Sequence, residues 1–172
     1  MRRLERLRTL SRLPEHLLEW ALAVRFNGST EKATQEIVKI LNMATFEVEI
    51  VAGVLRELFV KEDIRAGFKD AIERGVTIRM ICAPNPKAES KALFELAEGS
   101  KGKFEIRKAR DYPATHYFVV DKRHLLIEER HAPNAPVEEH RGITLRDRPE
   151  PAARQSVRFK RLWHSLPPLV RG

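Results

Sequence analysis

The run Ala114-Thr115-His116-Tyr117-Phe118-Val119-Val120-Asp121 is followed at once by Lys122-Arg123-His124-Leu125-Leu126-Ile127, which reads as one strand, a tight turn and a second strand within about residues 114–130. So short a connection forces the two strands side by side and antiparallel, as a hairpin. β-Branched and aromatic residues favour extended backbone, and an aspartate favours the tight turn. An isolated hairpin is marginal in water, so the rest of the chain must supply further strands and cover their faces.

The segments around the hairpin meet that need. Thr30 to Met43 is expected to be a helix burying Ala33, Ile37, Ile40 and Leu41, with Glu31 in its first turn. Residues 47–52 alternate and are β-rich, as a strand does. Residues 62–74 are amphipathic, with Ile64, Phe68 and Ile72 four apart, and Gly75 is placed to end that helix. The near-continuous apolar run 76–83 predicts a strand buried on both faces. A helix over 87–98, a short strand at 104–107, an edge strand over 142–147 and a last helix over 152–166 complete the order. The last helix is expected to bury Val157, Phe159, Leu162 and Trp163. Helices alternating with strands describe an α/β domain, a mixed sheet flanked by helices on both faces.

Ahead of it, residues 1–27 are expected to be helical, broken near Pro14. Leu4, Leu7, Leu10 and Leu13 recur every third residue, and Leu17, Leu18, Ala21 and Leu22 continue at helical spacing. This predicts an N-terminal helical extension over residues 1–28, a packing or dimerisation arm, and a domain over residues 29–172.

The chain has 172 residues and a formal charge of +8. That length suits one core, and the charge favours phosphate-bearing partners. Arg2, Arg3, Arg6, Arg8 and Arg12 open the chain, and Arg154, Arg158, Lys160, Arg161 and Arg171 close it. No apolar run reaches the roughly 20 residues that span a bilayer, and the N-terminus lacks the apolar stretch of a signal peptide. A single cysteine, Cys82, excludes an internal disulfide and reads as a small core residue. A cytoplasmic location is the expectation.

Several of these pieces resemble the phospholipase D-like superfamily in its single-copy form. They are the strand at 48–52, the passage Ala71-Ile72-Glu73-Arg74-Gly75-Val76-Thr77-Ile78-Arg79-Met80-Ile81, the Val119-Val120-Asp121 turn, and Phe159-Lys160-Arg161-Leu162-Trp163 near the end. The resemblance implies a site where a histidine attacks phosphorus and a lysine two residues on holds the phosphate. An aspartate and a Gly-Ser pair follow. It also implies that two copies face each other as a homodimer, and that no metal or other cofactor is needed. Neutral imidazole is nucleophilic near pH 7, and a lysine supplies charge to phosphoryl oxygens.

The motif is incomplete here. Aligning the Val-Val-Asp turn puts Asp121 at the aspartate, Ala114 at the nucleophile, His116 at the lysine, and Glu128 and Glu129 at Gly-Ser. The other register puts His116 at the nucleophile, with Phe118 at the lysine and Arg123 at the aspartate. The first keeps the turn and the strand lengths. In either register residues 114, 116 and 118 share one face of the strand. Sites in such folds lie beyond the carboxyl ends of strands. The ligand-contact candidates are therefore His116, Phe118, Glu128, His131 and Asn85, with His116 the catalytic candidate if the protein is an enzyme. Glu128 is expected to pair either with His116 or with an arginine such as Arg107 or Arg130. His124, His131 and His140 with nearby glutamates match no metal-ligand spacing.

Three functions follow as expectations. One is a catalytically degenerate domain that binds a small polar ligand or a protein partner, as related sensor domains of sugar-responsive regulators do. Another is a homodimeric, metal-independent phosphodiesterase or nuclease using His116. A third is nucleic-acid binding through the basic termini.

Overall fold

The computed structural model describes residues 23–27, 30–53, 59, 61–84, 91–113, 115–128 and 141–167. Their order is β1 (Val24–Asn27), α1 (Thr30–Met43), β2 (Glu47–Val51), α2 (Glu62–Glu73), β3 (Thr77–Cys82), α3 (Lys91–Gly99), β4 (Phe104–Lys108), β5 (His116–Val120), β6 (His124–Glu128), β7 (Arg141–Leu145) and α4 (Pro149–Ser165). The strands form one seven-stranded sheet in the order β1-β7-β6-β5-β2-β3-β4. β2, β3 and β4 are parallel, and every other neighbouring pair is antiparallel.

Strand alternation sends side chains to two cores. On one face Val48, Ile50, Ile78, Met80, Phe104, Phe118 and Val120 meet Ile37, Ile40 and Leu41 of α1, Ile64 and Phe68 of α2 and Leu93 of α3. Each such side chain, fully buried, stabilises the fold by about 1.5–3 kcal/mol against the entropy of ordering it. Gly67 stands against Leu41, at the point where α1 and α2 pack. On the opposite face Val51, Ile81, Tyr117, Val119 and Leu125 meet Ala152, Phe159 and Trp163 of α4. Arg107 on β4 ties down the end of α4. Its guanidinium donates to the carbonyls of Trp163 and Leu166 at 2.8 and 2.9 Å and lies 4.1 Å over the Trp163 ring. It thus fills carbonyls that a helix end leaves unsatisfied.

The expected α/β sheet with helices on both faces is present. Cys82 lies in the core as expected, and burial pushes its thiol up to about 11. Gly75, at φ 87°, ends α2 in the left-handed region.

Three expectations change. Residues 24–27 are a strand, not the end of a helix, and they pair with β7 from Val24 opposite Thr144 to Asn27 opposite Arg141. β7 is consequently interior rather than an edge, with β6 on one side and β1 on the other. In α4, Phe159 and Trp163 are buried, but Val157 is 51% and Leu162 38% exposed. The buried line of α4 runs through Ala152, Ser156, Phe159 and Trp163, a three-and-four spacing that leaves residues 157 and 162 outside it. Of the helical arm expected over residues 1–28, residues 1–22 and 28 lie outside the described residues.

Candidate functional site at the carboxyl end of the parallel strands

The β5–β6 hairpin fixes the site. Arg123 N–H donates to the Val120 carbonyl at 2.9 Å, and Asp121 and Lys122 both take φ of 52°. Positive φ at both central residues matches the right-handed twist of the strands that leave the turn. From that turn the pairing runs outward, Val120 with His124, Phe118 with Leu126, and finally His116 with Glu128. His116 and Glu128 thus arrive side by side at the open end of the hairpin, next to the end of β2.

There His116 Nδ1 stands 3.0 Å from Glu128 Oε2, with both side chains less than one-fifth exposed. A carboxylate can only accept, so Nδ1 carries the hydrogen of this bond and the chemistry of the ring passes to Nε2. Nε2 faces the chain just past β2. The space that a β-carbon on residue 53 would fill is taken by His116 Nε2 and the Tyr112 hydroxyl, so only glycine fits beneath them. The Tyr112 and His116 rings meet edge to face at 5.8 Å between centroids. The imidazole Nε2 and the phenol oxygen therefore meet over the Gly53 backbone, while the Glu128 carboxylate holds the other nitrogen of the ring. Such a set can exchange hydrogen bonds with a polar ligand or move a proton.

Of the expected contacts, the structure brings His116 and Glu128 together. Phe118, on the same face, does not reach the site. It is 4% exposed and stacks on Phe59 at 6.1 Å, inside the core. Asn85, Ala114, Glu129, Arg130 and His131 lie outside the described residues. Arg107 is engaged with α4 and is not Glu128's partner. His124 is buried, which depresses its pKa, and its Nδ1 accepts from the Asp147 N–H at 2.9 Å. It is a strut between β6 and the chain after β7. Among the described residues no group of three or more His, Cys, Asp or Glu side chains gathers to hold a metal. Nothing in Arg110-Asp111-Tyr112-Pro113 marks Tyr112 in sequence, whereas Gly53 stands just past the carboxyl end of a strand, where sites in such folds lie.

Comparison with solved structures decides the fold. A phospholipase D family member, Nuc from Salmonella typhimurium, superimposes with a TM-score of 0.68 over 85% of this chain and 96% of its own, at 14% identity. The chain has the phospholipase D-like fold. NucT from Helicobacter pylori matches with a TM-score of 0.66 at 12% identity, over 86% of this chain and 98% of its own. TrmBL2, an archaeal chromatin protein described as showing a novel mode of DNA binding, matches with a TM-score of 0.68 at 17% identity, over 98% of this chain and 66% of its own. No protein-family profile and no curated protein matches by sequence. Among the described residues no helix is long and apolar enough to cross a membrane.

Proposed function

We propose that this phospholipase D-like domain has given up phosphoryl transfer and serves as a binding and regulatory module, with a small polar ligand or a partner segment taken at the His116–Glu128 end of the sheet. The observation that carries this reading is the 3.0 Å pair between His116 Nδ1 and Glu128 Oε2. With the hairpin turn aligned to the family, His116 occupies the place of the phosphate-holding lysine and Glu128 the place of a Gly-Ser pair. The side chain that would attract a phosphate already has an anion, and that anion is covalently part of the protein. A phosphate brought within about 4 Å of a carboxylate meets a repulsion of about 4 kcal/mol per unit charge at a surface-like dielectric. Phe118, buried in the core, supplies no cation on that face. A carboxylate, an imidazole and a phenol are groups of the kind that exchange hydrogen bonds with a neutral, hydroxyl-bearing ligand.

A second reading, a metal-free diesterase, draws support from the same pair. A carboxylate on Nδ1 is also how a histidine is oriented when Nε2 acts as base or nucleophile. It requires two copies to present their His116 rings to one phosphate.

One experiment separates the two. Cleavage of a chromogenic phosphodiester and of single- and double-stranded DNA is measured in EDTA, with His116→Ala beside the wild type. In parallel, the imidazole NMR signals of His116 are followed as maltose, a neutral polyol, or inorganic phosphate is added to the wild type and to Glu128→Gly. The module reading expects no cleavage, shifts with maltose, no response of the wild type to phosphate, and a phosphate response gained in Glu128→Gly. Cleavage lost in His116→Ala would overturn it in favour of the diesterase.

A further inference from the structure

α4 presents two unlike faces. Its inner line, Ala152, Ser156, Phe159 and Trp163, is buried against the sheet. Its outer line carries Arg154, Arg158 and Arg161, all exposed, flanked by exposed Val157 and Leu162. These three arginines are four and three residues apart, so they share one side of the helix and span about 10 Å of its axis. Across its 17 residues α4 holds four Lys and Arg against a single acid, Glu150. The partners of the outer arginines are weak. Arg154 bridges Glu150 at 2.7 Å with both side chains mostly in water, and Arg158 reaches Gln155 at 3.4 Å. Exposed pairs of this kind contribute about 0–1 kcal/mol and exchange readily for a phosphate.

We infer that the outer face of α4 binds the backbone of nucleic acid, with Arg154, Arg158 and Arg161 each contacting a phosphate. The surface lies on the opposite face of the sheet from His116, so the inference stands independently of the ligand site. A phosphate every 3.4 Å of duplex axis on each strand places about three within the span of the three arginines. The planar guanidinium fork suits phosphate oxygens. The two flanking aliphatics are too few, and carry no aromatic companion on that face, for a membrane-embedding helix, which needs a broad apolar side. Contact through phosphates alone makes the binding indifferent to base sequence.

The test uses the full chain, a fluorescent 30-base-pair duplex and the matching single strand, with anisotropy read between 50 and 200 mM NaCl. Three proteins are compared: the wild type, the triple variant Arg154→Gln/Arg158→Gln/Arg161→Gln, and a control, Lys69→Gln/Lys91→Gln/Lys101→Gln, which removes the same charge from exposed positions away from α4. Circular dichroism confirms that each is folded. The triple variant is expected to bind duplex at least tenfold more weakly at 50 mM salt. The slope of log affinity against log salt should flatten by about 2.7, or about 0.9 per phosphate lost. The control should keep most of its affinity. Equal losses in both variants would mean that bulk charge rather than this face does the binding, and would overturn the inference. So would no duplex binding by the wild type, or an arginine-dependent attraction to anionic phosphatidylglycerol vesicles or to a second copy with DNA binding unchanged.

Discussion

At position 53 the lack of a side chain lets Tyr112 and His116 meet over the end of β2. Gly53→Ala is expected to leave the fold intact, because the atoms in its way are the tips of two side chains, and to displace the His116–Glu128 pair. The imidazole nitrogen shifts of His116 should then change, while the melting temperature moves by no more than a few degrees. Unchanged shifts would mean that the ring is held from elsewhere. Much of this site was legible in the hairpin itself. Counting outward from a three-residue turn pairs residue 120 with 124, and hence 116 with 128. The choice of partner for Glu128 stayed open because an arginine in sequence carries no sign of whether it is already engaged. Arg107 is engaged, by the end of a helix 56 residues away. Tyr112 was invisible for the same reason, since its role depends on where the strand ends lie in space.

The β5–β6 hairpin is the element that holds the sheet together at the opposite end from the site. Asp121 pays for two left-handed residues in its turn with four hydrogen bonds. Its carboxylate accepts from Thr45 N–H and Oγ1 at 2.8 Å and from the Phe46 and Glu47 N–H groups at 2.9 Å. Burial alone would raise the carboxyl's pKa, but the donors of Glu47, Phe46 and Thr45 outweigh it and hold the group below the usual aspartate range. Its contribution is therefore present above the unfolded aspartate pKa of about 3.9 and is lost as pH falls through the depressed value. Asp121→Ala is expected to lose about 2 kcal/mol of stability at pH 7 in urea unfolding, with the gap to wild type closing below about pH 4. A loss under about 0.5 kcal/mol would show that the backbone holds the turn unaided. The turn and both strands were readable from apolar runs around one aspartate. β1 was not, because four residues are too few to show a period of two and the leucines before them continue a helical one.

Across the whole molecule, the layer between sheet and α4 contains a charge. Glu49 on β2 is 1% exposed, and neither carboxylate oxygen has a hydrogen-bond partner. Lys160 of α4 stands 3.9 Å away, and the Ser156 hydroxyl, Glu47 and Lys122 also act on it. Burial, reinforced by Glu47, raises the carboxyl's pKa. The folded state then holds this proton more tightly than the unfolded chain, so the charge destabilises above the raised pKa, and the penalty is relieved as pH falls through it. Glu49→Met should stabilise the protein by about 1–3 kcal/mol at pH 8, and by less as pH approaches 5. A constant difference across that range would mean that packing, not charge, separates the two. The topology has a further consequence, in the order of manufacture. Among the described strands β1 is the first to be synthesised and β7 the last, and the two pair with each other. A nascent chain released before residues 141–145 exist carries β1 unpaired and the β6 edge uncovered, two open strand edges that invite neighbouring chains. Among the described strands, the latest to emerge is thus the one that shields the earliest.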